Sequence, residues 1–166
     1  MAIVNELLTQ RGLLLQAGTA EDATLIPAPC STKNRDMARD PEMHSSKKGN
    51  QRYFGMKAHI GVDAHSGSMQ TVRGASGQVT DIAEGNTSLH VQETVAFGDA
   101  GYQGIEKHPA AQLGVTWHVA TPPVKRLALN QENVADTMID KAEKLKAGIR
   151  SKVEHPLRVL KRPWDL

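Results

Sequence analysis

Phe54-Gly55-Met56-Lys57-Ala58-His59-Ile60-Gly61-Val62-Asp63 decides how the rest of the chain is read. Phe54, Met56, Ala58, Ile60 and Val62 alternate with Gly55, Lys57, His59, Gly61 and Asp63, and successive side chains of a strand point to opposite faces. The pattern predicts a strand with one core face and one solvated polar face. Ala64 to Ser68 have turn chemistry, so Met69 to Gly74 is expected to return as the antiparallel partner. Upstream, Thr19 to Ile26 reads as a short strand containing Asp22, closed by Pro27 and Pro29, which cannot donate to a ladder. Residues 30 to 52 are polar and aperiodic and predict a long loop, a class of segment that is usually functional or mobile. Ile3, Val4, Leu7 and Leu8 have helical spacing and Gly12 is a plausible stop, so the chain opens in an amphipathic helix.

Downstream, residues 79 to 92 predict a weak helix opened by Thr80-Asp81, because Gly85-Asn86-Thr87-Ser88 makes a poor helix interior. Thr94 to Asp99 reads as a buried strand that delivers Asp99 into the glycine-rich turn Ala100 to Gly104. Val115, Trp117 and Val119 alternate as a further strand. From Gln131 onward Val134, Met138, Ala142, Leu145, Ile149 and Val153 recur at helical steps behind Asn130 as a cap, and Pro156 should end or kink this long helix close to Glu154. Strands alternating with helices give an α/β fold class, in one domain of 166 residues.

Composition narrows the function classes. The single Cys30 allows no internal disulfide, and no secretory signal or membrane-length apolar run is present, so a cytoplasmic protein without membrane contact is expected. The net charge of +2 hides a separation of sign. Residues 31 to 59 hold seven basic side chains against three acidic and residues 141 to 162 eight against two, while residues 63 to 120 hold two against six. Basic arms around an acidic middle suit a protein that grips a phosphate backbone and keeps carboxylates for a metal. A solvated loop and a solvated helix face would look the same on charge alone.

Asp22 within the first strand, Asp99 at the end of another and Glu154 on the last helix are the acids placed where strand ends collect sites. Three carboxylates are what a two-metal phosphoryl-transfer centre uses, because hard oxygen donors hold two Mg²⁺ ions and leave positions open for water and phosphate. His59, His65, Asp63 and His118 lack the spacing of a zinc motif. Lys47, Lys48 and Arg52, with Tyr53, form a candidate phosphate-contacting loop, and Arg150, Arg158 and Lys161 line the last helix for the same role.

The segments Asp22-Ala-Thr-Leu-Ile, Asp40-Pro-Glu-Met-His through Lys47-Lys-Gly-Asn-Gln, Phe54 to Asp63, Asp99-Ala-Gly-Tyr-Gln-Gly and Lys152-Val-Glu-His-Pro-Leu-Arg158 together closely resemble the insertion-sequence transposases of family five, in the family-four-like DDE superfamily. The resemblance covers nearly the whole chain, and its motifs occur in the family's order. It implies a ribonuclease-H-like fold, a mixed five-stranded sheet flanked by helices, with Asp22, Asp99 and Glu154 as catalytic acids and metal ligands. Two Mg²⁺ ions, with Mn²⁺ as substitute, are the implied cofactors. The implied partners are the element's terminal inverted repeats, target DNA and a second copy of the chain, in a bacterial nucleoid.

The superfamily pattern of Tyr, two residues, Arg, three residues, Glu, six residues and Lys fits Arg150, Glu154 and Lys161, with Ala147 in the tyrosine's place. Lys47, Lys48, Arg52, Lys57, Arg150, Arg158 and Lys161 are then expected DNA contacts, with Tyr102 stacking on or supporting a displaced base. By the same resemblance residues 1–18 are the remnant of an N-terminal helical region and residues 19–166 the catalytic core, with both ends cut short. Glu21 stands where relatives are apolar and is expected to weaken packing or metal binding. A remnant that binds DNA or a partner without chemistry, and another metal nuclease of the same fold, are the competing expectations.

Overall fold

The computed structural model describes residues 2–11, 18–28, 32–33, 35, 37–89, 93–109 and 111–162. Gly12, Pro29 and Cys30 lie outside them, as does the side chain of Lys48. Helix α1 (Ala2–Gln10) precedes β1 (Gly18–Pro27), β2 (His44–Lys48), β3 (Gln51–Asp63) and β4 (Met69–Ser76). There follow α2 (Asp81–Gly85), β5 (Val95–Gly98), two short 3-10 turns, β6 (Thr116–Val119), α3 (Pro123–Leu127) and α4 (Val134–Lys161).

The strands form one six-stranded sheet, with β1 antiparallel to β3 and parallel to β5, which is in turn parallel to β6. The long β3 supports two successive partners, β2 against Gln51 to Gly55 and β4 against Met56 to Val62. This mixed α/β sheet flanked by helices is ribonuclease-H-like, with one strand more than the expected five. The addition is β2, which occupies part of the stretch expected as loop. His44-Ser45-Ser46-Lys47-Lys48 has no apolar alternation to announce a strand, and its pairing with Gln51 to Gly55 is closed by Gly49 at φ 61. Glycine reaches that left-handed conformation without steric cost.

The decisive strand differs from expectation on one face. Ala58 to Asp63 are all buried, His59 and Asp63 at 1% exposure each, so β3 is covered on both sides. On one side Ala20, Ile60 and Val62 pack against Val153 and Leu157 of α4. On the other, Leu89, Ala96, Tyr102, Ile105 and Trp117 make a second cluster. Asp63 closes the β3–β4 turn, its Oδ1 accepting from the Ser66 amide, the Ser66 hydroxyl and the His65 amide. His59 presents both ring nitrogens to the interior without hydrogen bonds, and burial lowers its pKa.

Helix α4 starts later and runs further than the sequence suggested. Asn133, not Asn130, caps it by accepting from the Ala135 amide. The helix continues through Pro156 to Lys161, since Val153 and Leu157 are buried against the sheet on either side of the proline. The missing proline donor costs one intrahelical bond, and the packing of these side chains offsets it. Lys152 Nζ donates to the carbonyls of Ala64 and His65, both at 2.7 Å, and ties the helix to the β3–β4 turn. Nearer its start, Glu143 accepts from the Thr121 amide and hydroxyl and pairs with Lys146, which joins α4 to the exit of β6. Among the described residues no helix is long and apolar enough to cross a membrane.

Candidate active site

The site follows from strand register. Parallel pairing of β1 with β5 ends at Ala20 opposite Phe97. Two residues beyond that pair on each strand come Asp22 and Asp99, near enough that the charge of Asp99 acts on Asp22. Two residues also restore the side-chain face, so Asp22 points to the α4 side of the sheet, as Ala20 does. Beyond Ala20 the edge of β1 is no longer paired by β5, and a cleft of about 460 Å³ opens along it. Asp22, Asp81 and Asp99 line this cleft, together with Lys47 and Lys57, and α4 contributes Glu154, Arg158 and Lys161.

Each strand acid is partly engaged by its own backbone. Asp22 Oδ1 accepts from the Ala23 amide at 2.7 Å, and Asp99 Oδ1 caps the following 3-10 turn by accepting from the Gly101 amide at 2.7 Å. Burial, offset partly by the Ala23 amide and raised further by the negative charge of Asp99, lifts the Asp22 pKa from 3.8 to about 6. Arg150 acts in the opposite sense on Asp22, and Asp81 adds to the rise. Asp22 therefore carries an electrostatic load that a cation nearby would relieve.

The donor chemistry fits a hard divalent ion, since every acidic group on the cleft is a carboxylate and cationic side chains stand beside them for phosphate oxygens. The distances are wider than coordination requires. Among the described residues no group of three His, Cys, Asp or Glu side chains is close enough to hold one ion. Glu154, on α4, is an exposed residue of the cleft lining, and Asp22 and Asp99 are half-buried ones.

The other expected residues divide. Lys47, Lys57, Arg158 and Lys161 line the cleft, whereas Arg52, the cross-strand neighbour of Lys47, is exposed outside its lining. Lys57 is only 15% exposed and is held by the Val79 carbonyl at 2.9 Å and by Asp81 at 3.0 Å. Arg150 lies on the far side of Asp99, in a second pocket of about 320 Å³ with Ala147 and Arg126, and its Nε is buried without a hydrogen-bond partner. Tyr102 departs from its expected part. At 1% exposure and stacked on Trp117 with ring centroids 5.6 Å apart, it has no face to offer a base. Its ring instead backs the turn that carries Asp99.

That backing makes Gly98 sensitive. A Cβ there would stand 2.8 Å from Tyr102 Cγ and 2.9 Å from its Cβ, atoms that cannot swing aside. Gly98→Ala is expected to lower stability by about 1–3 kcal/mol through overpacking. The Asp99 turn should shift with it, since the Tyr102 ring backs that turn. Denaturant unfolding of the variant beside the native chain checks the loss.

Asp81 is the charged residue of the cleft lining that sequence reasoning passed over. An aspartate in the first turn of a short helix already has an ordinary explanation in the helix dipole, and nothing in its spacing links it to Asp22 or Asp99.

Comparison with known proteins agrees in extent with this architecture. A family model described as a transposase DDE domain matches residues 15–166. No solved structure matches the chain.

Proposed function

The chain belongs to the transposase DDE-domain family, and from that membership we propose that it is an insertion-sequence transposase of family five whose residues 19–166 perform metal-dependent DNA cleavage and strand transfer. The observation that supports this reading most is the common cleft of Asp22, Asp99 and Glu154, with basic residues on the same walls. Asp22, Asp99 and Glu154 would hold two Mg²⁺ ions, or Mn²⁺ in their place. When bound, such a pair supplies charge neutralisation and a nucleophilic water at a phosphodiester.

The chain's own residues then have separate tasks. Lys47, Arg158 and Lys161 bind phosphate oxygens along the cleft and orient the strand, and Arg150 offsets negative charge behind Asp99. Hydrolysis forms a bond from water oxygen to phosphorus, breaks the bond to the 3′ oxygen and leaves a 3′-hydroxyl at the element end. Attack of that hydroxyl on a target phosphorus joins the two strands, breaks the bond to the target's own 3′ oxygen and releases it as a hydroxyl, without a covalent protein intermediate. The element's terminal inverted repeats and target DNA are the substrates, and two copies of the chain would act together on paired ends.

A remnant that retains DNA binding without chemistry is favoured by one observation, the absence among the described residues of three acids close enough to share an ion. Nicking of a duplex carrying the element end, with and without Mg²⁺, separates the two. The proposal expects Mg²⁺-dependent nicks, lost by at least about 10³-fold in Asp99→Ala and Glu154→Gln while DNA binding persists. Nicks that survive both substitutions, or native protein that binds the DNA and never nicks it, overturn it.

A further inference from the structure

The space over Gly101 separates two carboxylates that come from different elements. A Cβ built on Gly101 would stand 2.9 Å from Asp81 Oδ2 and 2.9 Å from Asp99 Oδ1. The two oxygens are therefore no further apart than twice that distance, with a side-chain-free backbone beneath them. The other oxygen of Asp81 is held at 3.0 Å by the Lys57 ammonium, a cation anchored to the Val79 carbonyl and shielded from solvent within the same cleft. Asp81 also acts at a distance on the neighbouring groups, raising the pKa of Asp22 and of Tyr102.

We propose that Asp81 is a fourth metal-facing carboxylate, sharing with Asp99 a cation position above Gly101, and that the Lys57 ammonium is its built-in counter-ion when that position is empty. The inference rests on the metal-dependent reading above, to which it adds a ligand and a competitor. Four carboxylates line the cleft, on Asp22, Asp81, Asp99 and Glu154. An unpaired acid at Asp81 would face three others, and Lys57 removes that cost without occupying the gap itself. A divalent ion outcompetes a single ammonium for two carboxylates because it carries twice the charge at shorter range. Lys57 is then free to turn from Asp81 toward a phosphate oxygen. The absence of a side chain at Gly101 also acquires a reason, since a methyl group would fill the gap between the two donors.

Binding of Mn²⁺ alone to the full chain, followed by the loss of the free-ion paramagnetic resonance signal, tests this without reference to cleavage. Asp81→Asn is expected to weaken Mn²⁺ binding at least tenfold. Gly101→Ala should weaken it comparably with no change of charge, and Lys57→Met should tighten it about threefold to tenfold by removing the competitor. Asp99→Ala separates this inference from its premise. If Asp99→Ala abolishes binding while Asp81→Asn and Gly101→Ala stay within twofold of the native chain, Asp81 is no ligand and the parent reading stands. If Asp99→Ala binds as the native chain does, the parent reading itself fails. Lys57→Met with unaltered affinity overturns the counter-ion role, and because it leaves every carboxylate in place it answers even where Asp81→Asn is poorly folded.

Discussion

Asp22→Asn is expected to give a protein more stable than the native chain at pH 8 and inactive in nicking. The folded-state pKa of Asp22 is lifted from 3.8 to about 6, with burial as the largest cause. The raised value disfavours the charged form in the fold. Below about pH 4 the group is protonated in both folded and unfolded chains and imposes no penalty. Between about pH 4 and pH 6 the unfolded chain releases the proton and the folded chain retains it, so stability falls as pH rises. Above the folded pKa the penalty is complete, about 3 kcal/mol at 1.36 kcal/mol per pKa unit. An amide at position 22 cannot ionise and still offers an oxygen to the Ala23 amide.

Urea unfolding should therefore show the variant ahead by about 1–3 kcal/mol at pH 8 and level with the native chain at about pH 3. Mg²⁺ should raise the stability of the native chain by more than that of the variant, because only the native chain carries at position 22 a charge that the ion relieves. Nicking should fall by about 10³-fold or more. Equal stability of the two proteins at both pH values would mean that Asp22 is not loaded by its surroundings, and the electrostatic account of the cleft would fail.

The same comparison explains why Glu21 is a different case from its neighbour. Alternation turns it to the opposite face of the sheet, where it is 1% exposed, with Oε1 unpartnered and its pKa raised well above 4.5 by burial and then by Glu93. It bears on packing, which was one of the two consequences expected of a charge at this position. Asp22 points to the other side of the strand.

How much of this was legible in advance depends on whether the signal was local. The strand from Phe54 and the two acid-bearing strands were readable, because alternation and proline are properties of a few adjacent residues. That Asp22 and Asp99 share one cleft was not, because it follows from β5 pairing in parallel with β1, a choice made by chain topology. His44 to Lys48 was missed as a strand since its pairing is carried by backbone groups, which polar side chains do not advertise. The periodic stripe of α4 misled in part. Ile149 and Val153 pack on the sheet, while Val134, Met138 and Leu145 are 71%, 65% and 72% exposed. Period alone reports which residues share a face and is silent on whether anything covers it.

That division of α4 leads to the largest expected loss of stability. Val153 is 0% exposed and meets Ala20, Ile60 and Val62 of the sheet, one residue before Glu154. The first half of the helix is fastened at Glu143, Lys146 and the Arg126–Asp140 pair, all near its polar edge. The apolar attachment therefore lies almost wholly in the turns from Ile149 to Leu160, the same turns that present Arg150, Glu154 and Arg158. Val153→Asp places an unpaired carboxylate in that contact and is expected to cost about 4 kcal/mol or more, a large share of the 5–15 kcal/mol typical of a domain. Val153→Ala removes two methyl groups and should cost about 2 kcal/mol.

Hydrogen exchange distinguishes detachment from general unfolding. In Val153→Asp, amides from Ile149 to Lys161 should lose protection while those of β1 and β3 retain part of theirs, and nicking should vanish with them. In Val153→Ala, protection along α4 should fall by the factor that matches the measured loss of stability, and nicking should survive. Full protection of α4 in Val153→Asp would show that the helix is held by its polar anchors, and that the wall carrying Glu154 does not depend on the apolar seam beneath it.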